Sequence, residues 1–461
     1  MESAFSRSEF VRRSAAVGVG LLGMPALAEA AMGARTPVQL RAWSQISPGV
    51  DVWRNRALRL AAPKVGGFRI KLSAEDLPLL WPDYLNRFTL AATSGRAPNI
   101  VVAGHELAAP WSRDGWIAPL DDCRGRHGEF DAIFGNLWNA VTFDGRTWGI
   151  PFEPEARPMF FNKQRLRRLG WSKKQVGDLP KRLRAGSFTL DDLVHTGRLA
   201  IDKGVARKGH VYWHRPLQGY DFLQYYVAYG GKLYDREKRK LVLRRKPLID
   251  FYAFQRTVVK EELTPRNFIG TDWNTWHSTV ANGKTLFWNG GIWMWAEWRE
   301  KYFRGEGERE LFRTIGYGLQ PTGLRGRPGR TLSRPIAYFV ASKKASGASG
   351  AQVDAACALL AKSMRKEWRT PEALQSAHLA WLEPQIDSPA YRRDRFLSSV
   401  TYMLTQGRAF FIPNDVNFAL YNTIVFDNML RAEEGEVSPR KAADAAIARM
   451  KAELGDAVVF E

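Results

Sequence analysis

Three short apolar runs and one helical pattern, all within residues 38–103, constrain the fold most strongly. Residues 38–43 and 68–72 alternate in polarity as strands do, and residues 99–103 form the continuous apolar run typical of a buried strand. Residues 79–94 have helical periodicity and are followed by Gly95, a residue that commonly ends helices. Since two parallel strands need a crossover connection, this spacing predicts a parallel sheet with right-handed crossovers in an α/β protein.

Polar side chains follow the first and the third of these strands. Trp43 and Gln45 come at the end of the first strand, and His105 and Glu106 follow the third. Ligands of open α/β sheets bind beyond the carboxyl ends of the strands, so we predict that these four residues contact a ligand. A carboxylate beside a hydrogen-bond donor can orient sugar hydroxyls. The alternative for Glu106 is that it caps the helix that follows.

The N-terminus has the layout of a secretory signal peptide. Three arginines (Arg7, Arg12 and Arg13) precede an uncharged run at residues 14–28, and small residues follow it. The run is shorter than the ~20 residues that span a bilayer. We therefore predict a signal peptide at residues 1–30, the alternative being a first amphipathic helix. The arginine segment resembles a twin-arginine signal with Ser8 in place of one arginine, so the Sec and twin-arginine routes both stay open.

Composition narrows the classes of function. The chain has 461 residues, a formal charge of +21, and more Trp (17) than Tyr (14). Trp faces stack on sugar rings, although we expect most of these residues in the core. The basic residues are spread along the chain without a nucleic-acid-binding module, which favours a solvated basic surface and no nucleic-acid partner. Cys123 and Cys357 are the two cysteines, and their spacing leaves open whether they pair.

Motifs for catalysis, metals and cofactors are missing from the sequence. It contains neither a Gly-x-Ser-x-Gly elbow nor a phosphate-cradling glycine loop. His210 and His214 are four residues apart, but Pro216 follows and no Glu lies between them, which argues against a metal site. We therefore predict a binding protein without cofactor or metal. An exported carbohydrate-acting enzyme stays the alternative, because Glu106 and Glu155 are available as a carboxylate pair.

Five blocks of sequence are similar, in order and spacing, to one known family. They are residues 97–122, 144–163, 281–298, 315–329 and 413–430. Together they resemble the family 1 extracellular solute-binding proteins of ABC importers, a group that includes the maltose-binding protein. The third block (ANGKTLFWNGGIWMWAEW) resembles the strand and turn that supply ligand contacts in the family, with one more residue between the glycine and the tryptophan. Residues 165–263 match the family poorly.

The resemblance implies a two-lobe periplasmic-binding-protein fold, type II-like, with a ligand cleft between the lobes. The implied N-terminal lobe comprises residues 36–152 and 320–376, and the C-terminal lobe residues 153–319 and 377–461. It further implies a periplasmic monomer that closes on a mono- or oligosaccharide and delivers it to a membrane-bound ABC permease. A non-sugar solute, namely a polyamine, a phosphodiester or a metal complex, is the alternative within this fold.

The resemblance also implies site residues beyond the first sheet. The acidic ligand-facing position falls on Glu155 rather than on its competitor Glu153, and the glycine turn suggests ligand contacts at Asn289, Gly290 and Trp293. Trp381 lies at the implied third crossing between lobes, whereas Trp295 and Trp298 are expected in the core. Further candidates are Trp111, Tyr220 and Asp221.

Overall fold

The computed structural model of the protein describes residues 36–46, 54–303 and 307–461, so the predicted signal peptide at residues 1–30 lies outside the described residues. The strands are β1 (Val38–Gln45), β2 (Ile70–Leu77), β3 (Ile100–Gly104), β4 (Thr142–Phe143), β5 (Arg146–Thr147), β6 (Ile150–Phe152), β7 (Met159–Asn162), β8 (Tyr212–Trp213), β9 (Tyr234–Asp235), β10 (Lys240–Leu243), β11 (Phe287–Asn289), β12 (Ile315–Gly318), β13 (Thr331–Ser333), β14 (Ile336–Val340), β15 (Ala409–Phe411) and β16 (Val458–Phe460).

Helices surround and connect these strands. They are α1 (Arg56–Ala61), α2 (Trp81–Thr93), α3 (Ala108–Arg113), α4 (Asp121–Arg126), α5 (Lys163–Arg168), α6 (Lys173–Ala185), α7 (Leu190–Asp202), α8 (Leu223–Ala228), α9 (Arg245–Lys260), α10 (Trp273–Ala281), α11 (Met294–Glu297), α12 (Gly307–Thr314), α13 (Lys343–Ser346), α14 (Gly350–Ser363), α15 (Lys366–Ser376), α16 (Glu383–Ile386), α17 (Pro389–Arg393), α18 (Arg395–Val400), α19 (Tyr402–Thr405), α20 (Phe418–Glu434) and α21 (Pro439–Leu454). In the part of the chain that the structure describes, none of them is long and apolar enough to cross a membrane.

A five-stranded mixed sheet, in the order β2-β1-β3-β14-β6, contains the three predicted strands. β1 runs parallel to both β2 and β3, which confirms the predicted parallel arrangement. β14, from much later in the chain, pairs antiparallel with β3 on one side and with the edge strand β6 on the other. The late strand brings the segment just before Ile336 against the carboxyl end of β3, where site residues were predicted.

A second, four-stranded sheet has the order β12-β7-β11-β8. β7 pairs antiparallel with β12 and β11, and β11 runs parallel to β8. The first sheet therefore draws on residues 38–152 and 336–340, whereas the second draws on residues 159–318. The structure has two hydrophobic cores. One contains residues of the first sheet and of one face of the second sheet, and the other is formed largely by helices α6–α9, α20 and α21.

Element ends depart from the sequence-based bounds by a few residues, for local reasons. β2 begins at Ile70 rather than at residue 68 and continues to Leu77, because it pairs with β1 along its whole length. α2 begins at Trp81 rather than at residue 79, with Leu80 extended before it and a proline in its first turn. Near the C-terminus, Ser438 followed by Pro439 is a sequence pattern that predicts a helix start, and the structure confirms it: the Ser438 hydroxyl accepts from the backbone N–H of Lys441 and caps α21.

Most tryptophans are structural, as composition suggested. Trp295 and Trp298 are fully buried, which confirms their predicted place in the core. Cys123 of α4 and Cys357 of α14 form a disulfide across 234 residues of sequence, which decides the question that the spacing left open. A cross-link of such span restricts the unfolded chain strongly and stabilises the fold.

Candidate ligand-binding site

An ion pair lies at the carboxyl end of β3, where the sequence predicted a site. The Arg334 guanidinium donates from Nε to Glu106 Oε1 over 2.9 Å and from a second nitrogen to the same oxygen. Arg334 lies between β13 and β14, so the late strand carries it to this position. Its guanidinium also lies 5.2 Å from the ring centre of Trp81 and 6.0 Å from that of Tyr220. The pair thus combines a carboxylate, a fixed cation and two half-buried aromatic rings.

His105 lies behind this ion pair and is fully buried. Its Nδ1 is 2.9 Å from the carbonyl oxygen of Pro335, and its Nε2 is 3.1 Å from that of Ile412. Burial lowers the pKa of His105, against the opposing charge of Glu106. The ring therefore ties the end of β3 to the chain segments that follow β13 and β15, and this contact positions Glu106.

A second group of charges is formed by Glu155 and Arg157, which follow β6, together with two residues from later in the chain. Arg157 donates from Nε to Glu155 Oε1 over 2.9 Å, and its Nη1 lies 2.6 Å from Asp221 Oδ2. Arg215 donates to the same Asp221 oxygen over 2.8 Å. Asp221 is buried and bridges two guanidiniums, so it holds both side chains in place.

Trp293 is the aromatic face of this second group. Its half-buried indole has the guanidinium carbons of Arg157 and Arg215 at 5.3 and 5.9 Å from its ring centre, and Arg215 is also 5.1 Å from the ring centre of Trp273. The indole lies directly against the turn backbone: a Cβ at Gly291 would come within 1.7 Å of the ring. Only glycine permits this close approach.

Asn289 and Gly290 set the position of that turn. Asn289 is fully buried at the end of β11, and its Nδ2 donates to Gln320 Oε1 over 3.1 Å. A Cβ at Gly290 would lie 2.6 Å from the sulfur of Met294. Asn289 and Gly290 are both buried beneath the turn, whereas Trp293 has a partly exposed ring.

The two groups form one cluster, which we call the charged–aromatic cluster. Tyr220 contacts Arg334 in the first group, and its neighbour Asp221 belongs to the second. The charge of Arg334 also acts on Glu155 and on Arg157. The cluster comprises Glu106, Glu155, Asp221, Arg157, Arg215 and Arg334 with the rings of Trp81, Tyr220, Trp273 and Trp293.

Charges within the cluster are matched. Burial alone would raise the pKa of Glu106 and of Asp221, but the adjacent guanidiniums outweigh burial and hold both below their usual range. Burial raises the pKa of Glu155, which Arg157 offsets only in part. Burial, reinforced by the charge of Glu106, raises the pKa of Tyr220 to about 12. Three guanidiniums thus face three carboxyl groups.

A buried network of charged residues packs against the cluster. Glu153 accepts from Arg54 Nε over 2.9 Å and lies 4.0 Å from His378, whose ring stacks on Trp293 at 6.4 Å and 12°. Glu372 is within hydrogen-bonding reach of Glu153, and one oxygen of each carboxyl has no donor among the described residues. A single proton shared between the two carboxyls satisfies both oxygens. Burial, reinforced by the charge of Glu153, raises the pKa of Glu372 to about 8.

The structure brings most of the predicted site residues together. Glu106, Glu155 and Trp293 belong to the charged–aromatic cluster, and His105, Asn289 and Gly290 support it. The Gln45 amide donates to the carbonyl of Leu79 over 2.8 Å, close to Trp81.

Three predicted residues lie apart from the cluster. The Trp43 indole donates to Glu75 over 3.1 Å. Trp111 is buried with its ring 4.2 Å from that of Phe88, and Trp381 is fully buried with its ring 6.0 Å from that of Phe152.

Sequence reasoning missed the three arginines of the cluster. Arg157 stands beside Glu155 in a recognised block, so a search for a carboxylate partner within that block finds it. Arg334 precedes the strand at residues 336–340, but its pairing with Glu106 depends on a contact across 228 positions of sequence. Arg215 lies in residues 165–263, which match the family poorly, and Trp273 lies between that segment and the third block. The described ranges contain no group of three or more His, Cys, Asp or Glu side chains placed to hold a metal ion.

The fold and the site define a class: a two-lobe α/β binding protein with a ligand cleft between its lobes. The family model for bacterial extracellular solute-binding proteins matches residues 74–361, which is more than half of the chain. This protein therefore belongs to the bacterial extracellular solute-binding protein family. That membership confirms the resemblance drawn from the five sequence blocks.

Individual relatives agree with this membership. A maltotriose-binding protein of Pyrococcus abyssi is 22% identical over 212 residues, which are 46% of this chain and 41% of that protein. The match thus spans less than half the length of that relative. The solved GacH receptor of Streptomyces glaucescens, studied unliganded and with acarbose, has a TM-score of 0.71 at 16% identity, covering 92% of this chain and all of its own.

A second solved structure is similar over a comparable length. The cyclic α-maltosyl-1,6-maltose binding protein of Arthrobacter globiformis has a TM-score of 0.69 at 19% identity, covering 91% of this chain and 100% of its own. At such identities the likeness establishes the two-lobe fold and confirms the predicted fold class.

Proposed function

We propose that this protein is a periplasmic receptor that binds a neutral mono- or oligosaccharide in the cleft and delivers it to an ABC importer. The observation that carries the proposal is the charged–aromatic cluster, in which guanidiniums and carboxylates are matched beside half-buried aromatic rings. Sugar hydroxyls both donate and accept hydrogen bonds, so they need acceptors and donors held in fixed positions. The apolar faces of sugar rings stack on indoles such as Trp293.

Charge balance in the cluster separates the candidate solutes. A polyamine needs a surplus of carboxylates, and a phosphodiester needs a surplus of cations. In this cluster each guanidinium already has a carboxylate partner. A neutral polyol exchanges hydrogen bonds with these pairs and leaves no charge unmatched. The sugar ligands named for the similar proteins support the same class of solute.

Lobe closure provides the signal to the transporter. We propose that the lobes comprise residues 36–152 with 320–376, and residues 153–319 with 377–461. Trp293 then belongs to one lobe and Glu106 to the other, so a ligand that contacts both stabilises the closed form. Small-angle scattering of the purified protein tests this: the radius of gyration should decrease on saturation with ligand, and an unchanged radius contradicts closure.

Export to the periplasm follows from the predicted signal peptide and is supported by the disulfide between Cys123 and Cys357. Such bonds persist in oxidising compartments and are rare in the cytosol. Fractionation of cells that produce the full chain tests the location. We expect the protein in the periplasmic fraction with residues 1–30 removed, and a full-length cytosolic product would contradict export.

A ligand screen tests the binding proposal. We expect maltose, maltotriose or another neutral saccharide to raise the unfolding midpoint, because a ligand that binds only the native state stabilises it by mass action. Trp293→Ala should weaken binding of that saccharide by roughly 5- to 30-fold, since a stacked aromatic contributes about 1–2 kcal/mol. Trp368→Ala is the matched control: this half-buried tryptophan lies on α15, outside the charged–aromatic cluster, and its loss should leave the affinity unchanged.

The same screen distinguishes the alternatives. A shift with spermidine, a phosphodiester or a metal chelate, but with no neutral sugar, would contradict the saccharide. We further propose that the protein cleaves no bond, so chromatography should recover the saccharide intact after long incubation. We also expect a monomer by light scattering, and a permease that binds the saccharide-loaded protein in preference to the free one.

A further inference from the structure

Three arginines away from the charged–aromatic cluster converge without carboxylates. Arg330 directly precedes β13, and Arg408 directly precedes β15. The two strands pair in parallel with Thr331 opposite Ala409, and the N–H of Thr331 donates to the carbonyl of Arg408 over 3.1 Å. Since neighbouring strands are about 4.8 Å apart, this register sets the two arginines side by side.

Arg184, in the last turn of α6, completes the group. Its guanidinium stacks 3.8 Å from the ring centre of Tyr402, and its Nη2 donates to Gln406 Oε1 over 2.9 Å. The charges of Arg184 and Arg408 both act on the Tyr402 hydroxyl. Arg330 in turn lies 5.5 Å from the ring centre of Phe410. Aromatic rings therefore hold two of the three guanidinium planes. We call Arg184, Arg330 and Arg408 the arginine triad.

Charge in the triad is not neutralised by the protein. Within residues 36–46, 54–303 and 307–461, no carboxylate oxygen lies within 4 Å of any guanidinium nitrogen of the three. Partial desolvation of the guanidinium, and then the nearby charge of Arg408, lower the pKa of Arg330, although the residue as a whole is exposed. Neighbouring like charges repel, and an anion bound between them relieves the repulsion.

Unused hydrogen-bond donors accompany the unmatched charge. The Nε atoms of Arg184 and Arg408 are both shielded from solvent, and neither has a hydrogen-bond partner among the described residues. Shielded donors without acceptors are rare because each costs the free energy of desolvation. Two unpaired donors and three cations together suit an acceptor with several oxygens and more than one negative charge.

We propose that the arginine triad binds an oxyanion of the phosphate type, at a site separate from the saccharide cleft. A guanidinium fork matches two phosphate oxygens at once, and stacking on Tyr402 and Phe410 orients the forks before the anion arrives. β13 leads from Arg330 at one end toward Arg334 at the other, a run of about 13 Å of extended chain. The phosphate site and the charged–aromatic cluster thus lie toward opposite ends of one strand.

Titration calorimetry with inorganic phosphate tests this site, with chloride added to keep the ionic strength equal throughout. We expect saturable binding of one phosphate to the wild-type protein. The double variant Arg330→Gln/Arg408→Gln should bind phosphate at least roughly tenfold more weakly, because two charge-assisted contacts are lost. Arg167→Gln/Arg168→Gln is the matched control: it removes the same charge from two exposed arginines of α5 and should bind phosphate as the wild type does.

Two further measurements keep the proposal falsifiable. Arg408→Lys retains the charge but loses the fork, so we expect an affinity between those of the wild type and the double variant. A phosphorylated monosaccharide compared with inorganic phosphate identifies the source: tighter binding of the sugar phosphate indicates a phosphorylated solute, and equal or weaker binding indicates the free ion. Absent wild-type binding, or equal weakening in the Arg167/Arg168 control, overturns the site and assigns any phosphate effect to the general basic surface.

Discussion

Two groups of arginines lie toward the two ends of β13 and have opposite electrostatic environments. In the charged–aromatic cluster, Arg334, Arg157 and Arg215 each contact a carboxylate at 2.9 Å or less. In the arginine triad, Arg184, Arg330 and Arg408 have none within 4 Å in the described ranges. The aromatic support is similar in the two groups, since guanidiniums stack on rings in both.

The difference shows that the neighbouring carboxylates, and not the arginines, determine what each group can bind. A matched guanidinium keeps its free N–H groups as oriented donors, without attracting free anions. An unmatched guanidinium in a shielded position attracts an anion strongly. Solutes of different charge therefore suit the two ends of the strand, although the residue type is the same.

Removing the carboxylate that Arg157 and Arg215 share should have the largest effect. Asp221→Asn leaves the Arg215 guanidinium without a counter-charge and Arg157 with Glu155 alone, so we expect a loss of about 3 kcal/mol in the free energy of unfolding. Urea denaturation measures it. Asp354→Asn is the control: it breaks an exposed pair with Arg126 and should cost less than about 1 kcal/mol. A similar cost for both would contradict the role assigned to charge matching in the cluster.

Glu372, which accepts from Arg369 over 2.8 Å, tests whether a proton shared with Glu153 also contributes to charge matching. Its pKa is about 8 in the folded protein, above the usual 4.5, so between these values the folded state holds a proton that the unfolded state has released. Stability should therefore fall as pH rises, by about 1 kcal/mol from pH 7 to pH 8.5, and then level off. Glu372→Gln should flatten this part of the profile, whereas Glu367→Gln on the exposed side of α15 should retain it. Urea denaturation at a series of pH values provides the measurement.

Removing the charge of two arginines of the triad should not destabilise the protein, in contrast to Asp221→Asn. Arg330→Gln/Arg408→Gln removes like-charge repulsion, so we expect the free energy of unfolding to stay equal or to rise by up to about 1 kcal/mol in chloride buffer. Thermal unfolding at low ionic strength measures the difference. A marked loss of stability would indicate that the two arginines are structural rather than a site for an anion.

The dependence of ligand binding on salt should show the smallest effect, and it compares the two ends of β13 directly. Raising sodium chloride from about 0.05 to 0.5 M should weaken phosphate binding several-fold, because salt screens unmatched charge. Saccharide binding should change by less than about twofold, since the charged–aromatic cluster attracts a neutral solute through short-range contacts. Calorimetry of both ligands on one preparation makes the comparison. Equal salt dependence for the two would remove the distinction between the two ends of β13.

Local sequence patterns predicted the elements that depend on short-range chemistry. The alternating and apolar runs gave β1, β2 and β3, and Ser438 with Pro439 marked the start of α21, because hydrophobic periodicity and capping act within a few residues. The end of the third predicted strand pointed to Glu106, and blocks of sequence similarity identified the family and pointed to Glu155 and Trp293 as candidates. Each of these residues follows an element whose end the sequence indicates.

Contacts between distant segments depended on the fold. Arg334 meets Glu106, Arg215 meets Asp221 beside Arg157, Arg330 lies next to Arg408, and Cys123 pairs with Cys357. Charges and thiols have no periodicity along the chain, so their partners are set by strand order and register across long separations. The amino-acid order thus specified the strands, helices and family, whereas the pairing of charges, and with it the class of ligand each end of β13 suits, arose from packing.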